Sequence, residues 1–342
     1  MMPVDARPVG RQAATDDLLK TVSPYTRPIR KQAIRQIIET FVPYAAIWTL
    51  MVVVVQQGYS YWITLALSVP AAAFLVRIFI LFHDCCHGSF FSSRRANTIL
   101  GYIAGVLTFT PFEQWRRSHA THHQTVGDLD RRGVGDIWLM TIEEFLAASR
   151  WKRIAYRMIR NPFCLLVFGT PIVFLIDQRF FHKIDGKRER RSVIVTNMAI
   201  AAIIAAAGVT IGIRTYLLIQ LPVMLIAGAA GLWLFYVQHQ FEGVYWARHE
   251  EWDPMKAALE GSSFYKLPRL LQWFTGNIGF HHVHHIQQRI PNYSLELCHN
   301  DVPILRAVAP VTLRGSLKCG RLHLWDEKNR KLTGYGALKG AT

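Results

Sequence analysis

The sequence predicts an all-α membrane protein, with four transmembrane helices in two hairpins and a cytosolic cap. Three observations lead there. Of the 342 residues, 51% are hydrophobic, yet the formal charge is +16, so apolar surface and positive charge must be segregated along the chain. Four stretches are apolar over lengths that cross about 30 Å of hydrocarbon at helical rise. The fourteen histidines do not scatter, because eight of them gather in three short boxes.

Residues 1–35 read as a cytosolic arm, polar and ending in the basic patch Arg27, Arg30, Lys31 and Arg35, without the apolar core and cleavage site of a signal peptide. The first span runs from Ile37 to Val55 and the second from Tyr61 to Phe82, and the five residues between them force an antiparallel hairpin. Residues 94–111 are apolar but short, which predicts a partly inserted helix with a GxxxG at Gly101 and Gly105. The segment 113–156 is too polar to cross a bilayer. Residues 162–178 are apolar again, but Pro162, Pro171 and Asp177 interrupt them, which predicts a helix lying on the membrane surface. Val193–Ile213 and Tyr216–Val237 form the second hairpin, with the small residues Gly228, Ala229, Ala230 and Gly231 suited to close packing in lipid. One integral-membrane domain over residues 36–330 and a tail over 331–342 complete the division.

Charge sets the orientation. The loop between the first two spans carries no Lys or Arg and that between the last two only Arg214, whereas the arm, the centre and the C-terminal part are basic. The basic parts are therefore expected on the cytoplasmic side of the cell membrane, with all three boxes among them. Five cysteines without framework spacing suit reduced thiols in that compartment. Nothing interleaves aromatics with Arg on a soluble domain, so the basic excess points to anionic lipid headgroups and not to nucleic acid.

The boxes carry the chemistry. On a helix, His281, His284 and His285 stand at i, i+3 and i+4 and share one face, with His282 about 100° away. His119, His122 and His123 repeat that spacing, and His83 and His87 form a looser pair directly after the second span. Eight imidazoles are too many for one zinc ion, which closes its structural sites with four ligands. Two metal ions fit better, and imidazole suits iron, copper, nickel and zinc alike. Asp84, Asp128 and Asp136 are candidates to hold the second nitrogen of a ligating ring, although capping or pairing with Arg131 and Arg132 accounts equally well for the last two. His182, His249, His299 and His323 lack partners in sequence and read as surface residues. Trp233 and Tyr236 suit an acyl channel or an interfacial belt. A metal centre where spans leave the membrane is placed to act on a lipidic substrate.

The boxes His83-Asp-Cys-Cys-His87, His119-Ala-Thr-His-His123 and His281-His-Val-His-His285 resemble those of the membrane fatty acid desaturases. The stretches Arg77–Phe82, Gly127–Trp138 and Gly261–Pro268 resemble the bacterial delta-5-type acyl-lipid desaturases in particular, and the likeness covers residues 35–330. The resemblance implies two iron ions, O2 as co-substrate, removal of two hydrogens from adjacent methylenes of a membrane lipid acyl chain to leave a cis double bond, and electrons from a separate donor such as ferredoxin or flavodoxin. It maps the ligands onto the eight box histidines and adds His239, which also lies at a span end on the side of the boxes. Some animal members carry an Asn four residues before that histidine, where this chain has Phe235. A lipid, carotenoid or alkane hydroxylase or ketolase would use the same boxes. A haem protein would need facing histidines inside spans, and the apolar cores contain none.

Overall fold

Sustained apolar sequence builds long helices, and their unequal burial decides which of them form the centre. The structure, a computed structural model, describes residues 9–340, so the outermost ends of the arm and tail lie outside the described residues. A helix over Val9–Val22 (α1) leads into Arg30–Gln56 (α2) and Tyr61–His87 (α3). Each of the latter has 27 residues, about 40 Å of helix, longer than the roughly 30 Å of a bilayer's hydrocarbon. The turn between them uses Gly58 at φ +70°, a left-handed conformation that glycine adopts without strain. The helices Arg94–Leu107 (α4) and Phe112–Thr125 (α5) follow, then Ile142–Ala147 (α6) and Arg150–Arg160 (α7).

Pro162–Arg179 (α8) is helical, as expected. It is a fifth helix long and apolar enough to cross a membrane, beside α2, α3, Lys187–Thr210 (α9) and Ile213–His239 (α10). Pro162 opens it at the first helical turn, where no N–H is needed. Wide π-type turns at Leu165–Gly169 and Ile172–Ile176 flank Pro171 and accommodate its ring, so the prolines do not break the helix.

Helices α3 and α10 are the centre, with 61% and 39% of their apolar windows buried against 22%, 11% and 17% for α2, α8 and α9. Outward-facing Ile38, Val42, Phe168, Ile176, Met198 and Val209 give the periphery an apolar surface fit for hydrocarbon. Gly228 permits the contact between α8 and α10, since a Cβ there would stand 2.3 Å from the Thr170 methyl and 3.1 Å from the Phe174 ring. The GxxxG of α4 packs closely: Gly101 receives the Phe112 ring at the start of α5, and Gly105 the Thr110 carbonyl and the edge of the Phe82 ring of α3.

The polar remainder assembles around α5. It includes the short helices Pro254–Glu260 (α11), Arg269–Phe274 (α12), His281–Ile286 (α13) and Asn292–Asp301 (α14). It is not purely helical. Met140–Thr141 (β1) pairs in parallel with Leu324–Asp326 (β4), which pairs antiparallel with Lys331–Thr333 (β5), and Phe264–Lys266 (β2) pairs in parallel with Pro310–Thr312 (β3). The expected tail thus supplies an outer strand, with Leu332 buried beside Trp325 and Leu129. The arm docks too, burying Leu18 and Val22 against Ile278, Phe280 and Leu295, and Tyr25 donates to Asp301 at 2.8 Å.

Candidate metal centre

Helices α3 and α10 continue beyond their apolar turns, and that overhang carries His83, His87 and His239 to the ends of α5 and α13. Nine histidines converge in two groups. His83, His87, His119, His123 and His284 form one, and His122, His239, His281 and His285 form the other, with the ligand atoms of each group within 4.8 Å of one another. The groups cut across the boxes. On α5, His119 and His123 turn to the first group while His122 turns to the second, and on α13 His284 parts from His281 and His285 in the same way. Each short helix therefore serves both groups and fixes the distance between them.

The spacing of the Nε2 atoms tests whether an ion fits. In the first group His83 to His119, His119 to His123 and His123 to His284 measure 3.0, 3.1 and 3.0 Å. In the second, His122 to His239, His239 to His281 and His281 to His285 measure 3.1, 3.0 and 3.1 Å. Two nitrogens each about 2.1 Å from a common ion stand about 3.0 Å apart at a right angle and about 3.4 Å apart at the tetrahedral angle. The observed edges lie in the range expected for nitrogens sharing one ion, so each group could hold a metal. Buried His87 Nε2 has no hydrogen-bond partner among the described residues, as expected of a ligating atom. Burial, reinforced by neighbouring rings, holds His119, His123, His281, His284 and His285 well below the usual imidazole pKa, which leaves their lone pairs free at neutral pH.

The second ring nitrogens decide orientation. Asp136 Oδ1 lies 2.6 Å from His122 Nδ1, Asp84 Oδ1 lies 3.3 Å from His83 Nδ1, and the Gly261 carbonyl accepts from His239 Nδ1 at 3.1 Å. Asp84 is itself held, accepting from the Asn292 backbone and side chain at 2.7 and 2.9 Å, and Asn292 accepts from Gln36 of α2 at 2.8 Å. Trp115 stacks on His119 at 4.2 Å between centroids, and Phe235 packs on the edges of His122 and His239. Sequence reasoning singled out neither Trp115 nor Gly261: Gly261 is 22 residues from His239, and although Trp115 lies one helical turn before His119, an aromatic at that spacing is no sign of a ring contact.

Asp128 does not reach the histidine groups. It accepts from Arg131 Nε at 2.5 Å and lies 2.8 Å from His249, which gives that exposed histidine a partner. His299 is not a surface residue, for it is 5% exposed and its Nδ1 lies 3.1 Å from Nε2 of His282. That contact draws His282 away from the metal groups. His182 lies 3.2 Å from Asp177, and His323 stacks on Tyr335. Tyr236 is fully buried and donates to the Leu322 carbonyl at 3.1 Å, while Trp233 stacks parallel to it, and neither lines the cavity that reaches the site.

A cavity of about 720 Å³ does reach the site. Its apolar wall comes from Leu75, Val76 and Phe79 of α3 and Met224, Ala227 and Leu234 of α10, and it ends on His83, His119 and His281, members of both groups. Its size falls within the usual range for small-molecule sites.

Residues 60–311 match the model of the fatty acid desaturase family. The chain is 48% identical to a fatty acid desaturase of Bacillus subtilis over 94% of its own length and 91% of the relative's. It is 26% identical to the sn-1 oleoyl-lipid 12-desaturase of Synechocystis over 78% of this chain and 76% of the relative. Against the sn-1 acyl-lipid omega-3 desaturase (ferredoxin) of Synechocystis it is 25% identical, over 64% and 61%.

Proposed function

The chain belongs to the fatty acid desaturase family and is an oxidoreductase that desaturates fatty acids, and we propose that it acts on acyl chains of membrane lipids with O2 and two iron ions held by the nine histidines. The observation that carries this reading is the cavity, because its apolar wall would bring a chain of methylenes against histidines of both groups. Bound there, the irons would supply the activation of O2 that removal of two hydrogens from adjacent methylenes to give a cis double bond requires. The protein's own residues orient the site. Asp136, Asp84 and the Gly261 carbonyl direct Nε2 of His122, His83 and His239 inward, and Trp115 fixes the plane of His119. The apolar wall keeps bulk water from the reacting carbons.

The topology we propose keeps four spans in two hairpins. Helix α8 begins where Pro162 packs against Gly320 of the cap, and the segment after it ties back to α5, where Gln114 donates to Asp185 at 2.7 Å. Both ends of α8 thus lie on the side of the histidines, so it is not counted as a crossing. The positive-inside rule then assigns the histidine side to the cytoplasm. Electrons come from a separate carrier reaching that face, with ferredoxin, which the name of the omega-3 relative contains, or flavodoxin as the class.

Expression in a host that makes only saturated lipids, followed by mass spectrometry of the extracted lipids, tests the reading. A new double bond is expected. An oxygenated chain, or no change with the iron in place, would contradict it.

A further inference from the structure

One end of the cavity differs chemically from the rest. There Gln114 and Gln178 line it, 1% and 8% exposed, and the Oε1 of each has no hydrogen-bond partner among the described residues. The orientation of Gln114 is fixed, since its Nε2 donates to the Phe180 carbonyl at 2.9 Å and to Asp185 Oδ2 at 2.7 Å. Its oxygen is therefore the free atom. An enclosed amide oxygen without a donor is destabilising, and an acyl chain offers no donor. The donor must come from another part of the ligand.

The surroundings indicate which part. Lys183 lines the same end, with His182 held between Asp177 at 3.2 Å and, through its backbone N–H, Asp185 at 2.7 Å. Phe180 and Phe181, 64% and 50% exposed, precede them and project outward. Exposed aromatics beside a cation are the pattern of a membrane interface, where phosphate and headgroup lie. This end is thus a polar mouth at the lipid surface, near His119 on α5, and the remainder is an apolar pocket between α3 and α10.

We infer that Gln114, Gln178 and Lys183 form a headgroup subsite for a glycerophospholipid whose head carries N–H or O–H donors. Lys183 takes the phosphate, and the two amide oxygens accept from the ammonium or hydroxyl groups. The inference rests on the lipid-substrate reading above and adds a preference to it, because a choline head has a phosphate but no donor. Ethanolamine and glycerol heads have both.

The test uses the full, iron-loaded chain in vesicles of phosphatidylethanolamine, phosphatidylglycerol or phosphatidylcholine with identical acyl chains. Native mass spectrometry reads which lipid the protein retains, and lipid analysis reads which gains a double bond. Retention of the ethanolamine and glycerol lipids should exceed that of the choline lipid by roughly threefold to tenfold, the effect of one or two hydrogen bonds. Gln178→Met should bring that ratio toward one. Gln178→Glu, which keeps its acceptors, should preserve it and favour ethanolamine over glycerol. Equal retention of the three lipids by an enzyme that desaturates them, or an undiminished ratio in Gln178→Met, overturns the subsite alone. Retention of no lipid together with desaturation of a soluble acyl thioester overturns the lipid substrate and the subsite with it.

Discussion

Asp136 Oδ1 stands 2.6 Å from Nδ1 of His122, fourteen residues earlier in the chain, and the opposite nitrogen of that ring faces His239 at 3.1 Å. The intervening loop turns through Gly133 at φ +113° and Gly135 at φ +73°, where a Cβ at Gly135 would come 3.0 Å from the Cβ of His122. The carboxylate and ring are therefore clamped together. Replacing Asp136 by Asn should weaken metal binding by the second histidine group about 10- to 100-fold. Asp128→Asn, facing Arg131 and His249, should leave both ions in place. Iron analysis of the two purified variants checks the contrast, and equal iron in both would refute it.

The cavity wall offers a test that does not touch a ligand. Gly231 lines it, and a Cβ added there meets nothing within 4 Å, whereas Gly228 one turn earlier is pressed against Thr170. Gly231→Leu should fold normally, keep its iron and lose most activity on long chains while sparing shorter ones. Lipid profiles against chain length read this out. An unchanged profile would mean that the acyl chain runs elsewhere.

His282 separates a structural histidine from the ligands beside it. Its Nε2 contacts His299 within an enclosure of Phe264 and Phe280. His282→Ala should leave His299 short of a partner and destabilise the fold by about 1–3 kcal/mol. It should nevertheless retain both irons and, at low temperature, most of its turnover. The neighbouring His281→Ala should lose metal. Iron loss at position 282 equal to that at 281 would remove the distinction.

Acid should act on the metal-free protein through the same rings. Their folded pKa values lie well below 6.5, by burial first and by neighbouring imidazoles second. Between about 6.5 and those depressed values the unfolded chain binds more protons, so stability is complete above about 6.5 and falls as pH drops below it. The melting temperature of chelator-treated protein should hold from pH 8 to 7 and decline steadily toward pH 5. A level trace across that range would show that the rings are accessible to water in the folded state.

Much of the site is legible in sequence because helical spacing puts ligands on a common face. The same geometry hides the partition. His119 and His123 lie one turn apart and point to one group, whereas His122 is rotated by about 100° from its neighbour, and only the placement of α3 and α10 says what lies on either side. His299 looked exposed as a lone histidine because its partner His282 is 17 residues away on another helix. The helix over 162–178 was legible, but the wide turns that accommodate Pro171 were not, since sequence gives no sign of them. The pairing of β1 with β4 joins residues near 140 to residues near 324, a separation at which periodicity carries no information.

Two ions in two histidine groups are the centre of this account, and the adjacent residues His284 and His285 belong to different groups. The direct measurement is iron per chain, by mass spectrometry of the metal, in the purified protein and in His284→Ala and His285→Ala, alongside double-bond formation in the same preparations. Two irons are expected in the active protein, and loss of one iron, with abolished desaturation, in each variant. Full activity with a single iron per chain would contradict it.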